Sequence, residues 1–266
     1  MMKEKILNAL TTECPWRDTL YWYDSIDSTN TRLKELARCG AAAGTVVLAG
    51  QQSAGRGRLG RSFHSPQGLG LYISVLLRPG CRPDELMHLT CAAAVAVCDG
   101  IEKLTGVRPG VKWINDLVLS RHKLGGILTE LSVDPKTVLV DYAIVGIGIN
   151  CRHTSRDFPP ELQDIATSLH MENLDVEPAA LAATVITALQ QMDSNLLRQK
   201  DRIMAQYRTD CITLGQDVTI CRFEDRQPGK ALDVDKDGAL VVQLPDGSVT
   251  HVSSGEVSVR GLYSYI

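Results

Sequence analysis

The segment Gln52-Ser53-Ala54-Gly55-Arg56-Gly57-Arg58-Leu59-Gly60-Arg61 constrains this chain more than any other. It separates two apolar, β-type runs, residues 45–49 and 69–77, and is too rich in glycine and charge to pack as an element of its own. Glycine lets backbone N–H groups approach an anion. Arginine makes bidentate contacts to phosphate or carboxylate. Taken alone, the segment also reads as a solvated basic turn. Its letters match GxGxxG, but a dinucleotide fingerprint should open a helix, and here Ser65-Pro66 and a strand follow. No GxxxxGK[ST] occurs, so a Walker loop is excluded.

Around this loop the pattern is mixed α/β. Residues 20–23 read as a first strand. Ser28-Thr29-Asn30 supplies N-cap types for a helix whose apolar face is Leu33, Leu36 and Ala37, ending near Gly40. Pro83 is predicted to open a long helix, with Leu86, Leu89, Ala93, Val97, Ile101 and Leu104 on one face. Short strands at 111–113 and 117–119 flank Asn115-Asp116, and Arg121-His122 reads as a turn. Further strands are predicted at 127–131 and 138–149, and a second helix from Pro178 to about Gln199. After Leu214, β-type runs at 218–221, 239–244 and 249–252 alternate with the turns Asp237-Gly238 and Asp246-Gly247, which suits a small β-barrel. The expected organisation is a mixed α/β unit over 1–212 and a small β unit over 213–266.

Composition narrows the function. Lys+Arg is 28 against Asp+Glu 31, a net charge of −3, so there is no general electrostatic footprint for nucleic acid or membrane. The most apolar run, Leu89 to Cys98, is too short to span a bilayer, and the opening Met-Met-Lys-Glu-Lys-Ile is no signal peptide. None of the 8 cysteines forms a CxxC, so no zinc knuckle or thioredoxin pair is expected, and the cytoplasm is the expected compartment. The six histidines lack HExxH spacing, and no GxSxG elbow is present.

Two further constellations carry chemistry. Lys112-Trp113-Ile114-Asn115-Asp116 and Lys123-Leu124-Gly125-Gly126-Ile127-Leu128 place two cations near two hard oxygen donors of the kind Mg²⁺ accepts. Alone they read equally as a hairpin with exposed lysines. Together with an arginine loop they point to a nucleotide–Mg²⁺ site. Gly146-Ile147-Gly148-Ile149-Asn150 leaves one strand face bare, either for a flat ligand or for a close approach of another element.

In order and spacing these blocks, with Asp27-Ser28-Thr29-Asn30 and the closing Gly255 to Arg260, resemble the biotin protein ligases over roughly residues 20–262. Ile114, Gly125 and Phe63 stand where that family commonly has proline, alanine and tryptophan. The resemblance implies a catalytic domain like that of class II aminoacyl-tRNA synthetases, with an SH3-like C-terminal barrel. It implies biotin and ATP as substrates, Mg²⁺ as cofactor, and a biotin carboxyl carrier domain as partner. By the same resemblance Ser28, Thr29, Asn30, Gln52, Arg56, Gly57, Arg58, Lys123, Gly126, Leu128 and Gly146 bind biotin. Arg56, Arg58, Arg61, Lys112, Asn115 and Asn150 bind ATP, with Asn150 reading adenine. Lys123, Arg58, Lys112 and Asp116 form the catalytic group, and Asn115 and Asp116 hold the metal. A lipoate ligase of the same fold and a non-catalytic biotin sensor are the alternatives. Only about 18 residues precede the first strand, fewer than the roughly 50 a domain needs. The expectation is therefore a ligase without the family's DNA-binding domain. A homodimer is left open.

Overall fold

Strands that are apolar at every position need cover on both faces. In the structure, a computed structural model describing residues 1–222 and 225–253, β2 (Val46–Ala49), β3 (Gly70–Leu77) and β7 (Val140–Asn150) are buried almost throughout. They lie inside a seven-stranded sheet of order β1-β2-β3-β7-β6-β5-β4. The others are β1 (Leu20–Tyr23), β4 (Gly110–Lys112), β5 (Asp116–Leu119) and β6 (His122–Val133). Only β1 and β2 run parallel; every other neighbour is antiparallel.

The two-residue period of the strands sorts their side chains. Val46, Leu48, Val75, Leu77, Ala143 and Val145 join the main core with α3 (Leu89–Thr105) and α4 (Pro178–Asn195). The alternate residues Val47, Leu76 and Ile144 pack instead on Leu33 and Ala37 of α2 (Thr29–Arg38). Helices α3 and α4 approach closely at Gly100, where a Cβ would lie 3.0 Å from the Val185 Cα.

Helix α2 covers only part of its face of the sheet. Beyond it the face continues as two cross-strand rows. One is Ser74, Gly146 and Leu128; the other is Tyr72, Gly148, Gly126, Asp116 and Lys112. Strict alternation would send Lys123 to the core. A register shift opposite Leu117 and Val118 inserts one residue in β6. Leu124 then turns into the core and Lys123 to the open face.

After α4 the chain forms α5 (Lys200–Asp210), and Cys211 then pairs beside Val111, with the Ile212 N–H donating to the Val111 carbonyl at 3.0 Å. This segment covers the β4 edge of the sheet. A four-stranded antiparallel sheet follows, of order β11-β10-β9-β8, from β8 (Asp217–Arg222), β9 (Asp225–Val234), β10 (Leu240–Gln243) and β11 (Val249–Val252). Its apolar residues Val218, Ile220, Ala231 and Leu240 are continuous with the main core. The closing strand expected at 255–260 lies outside the described residues. Among the described residues no helix is long and apolar enough to cross a membrane.

Several elements differ from the sequence expectation. Residues 83–86 form a separate 3₁₀ turn, and α3 starts only at Leu89. Between them the buried His88 places Nε2 2.9 Å from the Leu196 carbonyl oxygen, a tertiary contact that helical periodicity does not encode. Helix α1 (Met2–Ala9) buries only Ile6, and α5 buries Met204, Tyr207 and Asp210 in an otherwise polar stretch. Neither shows a broad apolar face. Strand β9 contains Pro228-Gly229, which reads as a turn in sequence.

Candidate active site

The open face of the sheet, the N-terminus of α2 and the arginine–glycine loop enclose one cavity. Its lining includes Ser28, Thr29, Asn30, Gln52, Arg56, Gly57, Arg58, Arg61, Lys112, Asn115, Asp116, Lys123, Gly126, Leu128 and Gly146. All but one of the candidate residues are therefore brought together. The exception is Asn150, which lies off the wall. Its buried amide donates to the Thr167 carbonyl at 2.9 Å. The end of β7 runs beneath the segment at 167–169, where the Leu169 N–H donates to the Asn150 carbonyl at 3.0 Å.

One end of the cavity is a polar well. Ser28 stands at the N-cap of α2 but makes no capping side-chain bond, and it lines the cavity instead. Gln52 Oε1 accepts from the Thr29 N–H at 2.9 Å and from its hydroxyl at 3.0 Å, while Gln52 Nε2 donates to Ser65 at 3.0 Å. The buried Ser74 hydroxyl lies 2.7 Å from Thr29 Oγ1 and 2.6 Å from Asn30 Oδ1. Two hydroxyl protons thus serve three contacts, leaving one acceptor for an N–H from outside the cluster. Ser74 and Glu130, which holds Asn30 Nδ2 at 2.9 Å, were not singled out from sequence. The available signal was a hydroxyl inside the apolar run Leu71 to Leu77 and a lone charge inside the run Ile127 to Leu131.

The bare face of β7 has a definite use. A Cβ on Gly146 would fall 2.0 Å from Asn30 Oδ1, and one on Gly148 would fall 2.4 Å from the Phe63 ring. The close-approach reading accounts for both glycines, since protein side chains occupy that space. Gly125 is explained too: a Cβ there would meet the Gly148 carbonyl oxygen at 2.3 Å, so the commoner alanine does not fit this backbone. Phe63 packs edge-on to Tyr72 with ring centres 6.4 Å apart.

The other end is cationic. Arg56, Arg58, Arg61, Lys112 and Lys123 line the cavity, with Asp116 as its carboxylate. Lys123 Nζ donates to Asp116 Oδ1 at 2.7 Å. The Lys123 backbone is clamped by Ile165 and Thr167. Burial pulls Lys112 down from an ordinary lysine to about 8, only partly opposed by Asp116, with Lys123 and Arg61 pulling the same way. Arg58 donates to Asn115 Oδ1 at 2.9 Å, and Asn115 Nδ2 donates to the Ile127 carbonyl at 3.0 Å. Arg56 does not point among these groups: its guanidinium pairs with Glu130. The loop itself is a small hairpin, with Gly57 N–H on the Arg61 carbonyl and Phe63 N–H on the Gly55 carbonyl. Among the described residues no group of three or more His, Cys, Asp or Glu forms a metal cage.

The arrangement can hold a neutral polar ring at one end and two anionic groups at the other. Known proteins give the same reading. The Biotin/lipoate A/B protein ligase family model matches residues 22–150, and the Biotin protein ligase C terminal domain model matches residues 213–260. The chain is 33% identical over 249 residues to the bifunctional ligase/repressor BirA of Bacillus spizizenii, covering 93% of this chain and 76% of that protein. It is 31% identical to the biotin–[acetyl-CoA-carboxylase] ligase of Mycobacterium tuberculosis, covering 86% and 85% of the two chains. The biotin protein ligase from Aquifex aeolicus, solved in complex with biotin and ATP, aligns with a TM-score of 0.77 at 30% identity over 91% of this chain and 98% of that one. Fold, cavity and relatives agree, and the chain belongs to the biotin protein ligases.

Proposed function

We propose that the cavity performs both half-reactions of protein biotinylation. In the first, a biotin carboxylate oxygen attacks the α-phosphorus of Mg·ATP, forming biotinyl-5′-AMP and releasing pyrophosphate. In the second, a lysine amine of a biotin carboxyl carrier domain attacks the activated carbonyl. AMP leaves, the amine loses a proton, and a biotinyl amide remains. A carboxylate is already ionised at pH 7, so the first step needs no general base. Its obstacle is repulsion between two anions, which fixed cations lower.

The observation that carries this reading is the pairing of a polar well with a cationic end in one cavity. Thr29, Asn30, Ser74 and Gln52 suit a ureido ring, whose N–H meets the surplus acceptor. Lys123 spans the biotin carboxylate and the α-phosphate. Arg58, Arg61 and Lys112 serve the phosphates. The metal enters as the counter-ion of ATP. Asp116 is the carboxylate suited to it, whereas Asn115 is already engaged with Arg58 and Ile127. Asp116 also stands ready to receive the acceptor lysine's proton. Arg56 acts through Glu130 rather than on phosphate.

A dithiolane ring would need an apolar slot, so the polar well favours biotin over lipoate. The chain works as two units, 1–212 and 213–266, on a carrier of a carboxylase. All eight cysteines are free, six of them buried, which suits a reducing cytoplasm. A net charge of −3 favours no operator DNA, and a promoter-fragment binding assay at physiological salt checks this. The deciding experiment incubates the protein with Mg·ATP, a carrier domain, and biotin or lipoate, and weighs the carrier. One biotinyl group is expected on one lysine. A lipoyl adduct, or none, overturns the reading.

A further inference from the structure

Glu130 lies on β6, two residues beyond Leu128 at the cavity floor, with its side chain 18% exposed. Four donors converge on it. Oε1 accepts from Lys34 Nζ at 2.6 Å and lies 3.0 Å from Arg56 NH2. Oε2 accepts from Asn30 Nδ2 at 2.9 Å and from Arg56 NH1 at 3.0 Å. The fork-to-fork contact with Arg56 is the strongest ion-pair geometry available to the two groups. Burial pushes the Glu130 carboxyl up. Hydrogen bonds from Lys34 and Asn30 and the charges of Lys34 and Arg56 outweigh that, leaving it below an ordinary glutamate.

The converging groups come from different places. Asn30 and Lys34 belong to α2, and Arg56 belongs to the loop. Among the described residues, the hydrogen-bonded side-chain ties from 55–61 to the rest of the chain are Arg56 to Glu130 and Arg58 to Asn115. We propose that Glu130 is a positioning residue. Through Arg56 it latches the arginine–glycine loop onto the cavity rim, and through Asn30 Nδ2 it turns Asn30 Oδ1 toward Ser74 as an acceptor facing the ring site.

The second half of this rests on the biotin reading of the well; the first half does not. Removing the charge leaves Arg56 and Lys34 as neighbouring like charges with nothing between them, which drives the arginine outward. A neutral amide at 130 also offers its own N–H to Asn30, so the Asn30 amide loses its fixed orientation.

The test uses the full chain and Glu130→Gln, with Glu130→Asp as the conservative variant. Trypsin nicking after Arg58 and Arg61, without substrates, is expected to accelerate at least fivefold in E130Q. The biotin KM for pyrophosphate release is expected to rise at least tenfold while kcat stays within threefold. E130D should recover at least half of each loss. Nicking and KM both within twofold of wild type, at unchanged Tm, overturn the proposal. Should E130Q fail to fold, Arg56→Gln removes the same latch from a side chain that is 42% exposed. Unchanged nicking in that variant equally overturns it. If the wild type forms no biotinyl adenylate, the biotin reading falls, and the trypsin comparison still decides the latch.

Discussion

Lys112 and Lys123 are both lysines of the cavity, yet the fold gives them different chemistry. Lys123 is paired with Asp116, whereas burial brings Lys112 down to about 8. Lys123 meets both reacting anions in the proposed mechanism, so Lys123→Ala should slow adenylate formation by about 10²- to 10³-fold, read as biotin-dependent pyrophosphate release. Lys112 is charged below its pKa and neutral above it. The kcat/KM for ATP reports the free enzyme, so it should fall as pH rises through about 8, well before an ordinary lysine would titrate. A flat profile from about pH 7 to 9.5 would remove Lys112 from the phosphate site. The same shift means the folded chain binds fewer protons than the unfolded one between about 8 and 10.5, so the stability cost of burying Lys112 shrinks as pH rises through that window. Two glycines give a contrast. A methyl on Gly146 would sit 2.0 Å from Asn30 Oδ1, while one on Gly126 would be 3.7 Å from its nearest neighbours, Asp116 and Lys123. Gly146→Ala should cost about 1–3 kcal/mol in denaturant unfolding and weaken biotin binding. Gly126→Ala should fold as the wild type does.

At the scale of elements, what the sequence made legible follows from local chemistry. Strands β2, β3 and β7 are legible because each is a short apolar run bounded by turn residues, and α4 because its apolar face spans several turns. Helix α5 and strand β9 are not, because a polar surface hides one and Pro228-Gly229 the other. The candidate site is legible where chemistry is concentrated in one segment, as at 55–61 and 112–116. It is not legible where it depends on register. Ser74 matters because it lies opposite Gly146; Lys123 is legible as a site cation, but the bulge that turns it to the open face is not. The setting of Asn150 is not legible either, because distance along β7 says nothing of the 167–169 segment that accepts from its amide. The loop is the element whose behaviour most needs measuring. Its glycines raise the entropy cost of the closed hairpin, and anionic substrates supply partners that offset it. Hydrogen exchange at the Gly57 and Phe63 amides should slow when biotin and ATP are added. Arg58→Gly removes the tie to Asn115 and should let activated biotin escape, seen as biotin spread over a bystander protein. Equal protection with and without substrates, and a clean bystander, would remove the gating role.

At the scale of the whole molecule, the small C-terminal sheet and the catalytic cavity meet at Trp113. The backbone N–H of Trp113 donates to the buried Thr213 hydroxyl at 2.9 Å, and its indole N–H donates to the Gly238 carbonyl at 2.9 Å. Lys200 reaches Asp237 of the same turn at 2.6 Å, and Tyr207 of α5 donates to the Ile114 carbonyl at 3.2 Å. Trp113 and Ile114 are thus gripped from the C-terminal side, and their neighbours in sequence are Lys112 and Asn115. A small β unit held in this way grips the turn between two cavity residues, and among the described residues it contributes no side chain of its own to the cavity lining. Thr213 is the simplest point at which to loosen that grip. Thr213→Val keeps the volume nearly constant and leaves a buried N–H without its acceptor, a loss of about 1–3 kcal/mol. Thermal unfolding should report that loss. If the grip also positions Lys112 and Asn115, the KM for ATP should rise several-fold while the KM for biotin, read at the far end of the cavity, stays within twofold. An equal rise in both constants would mean that the substitution has loosened the fold generally. No change in either would mean that Trp113 holds its place without the C-terminal sheet.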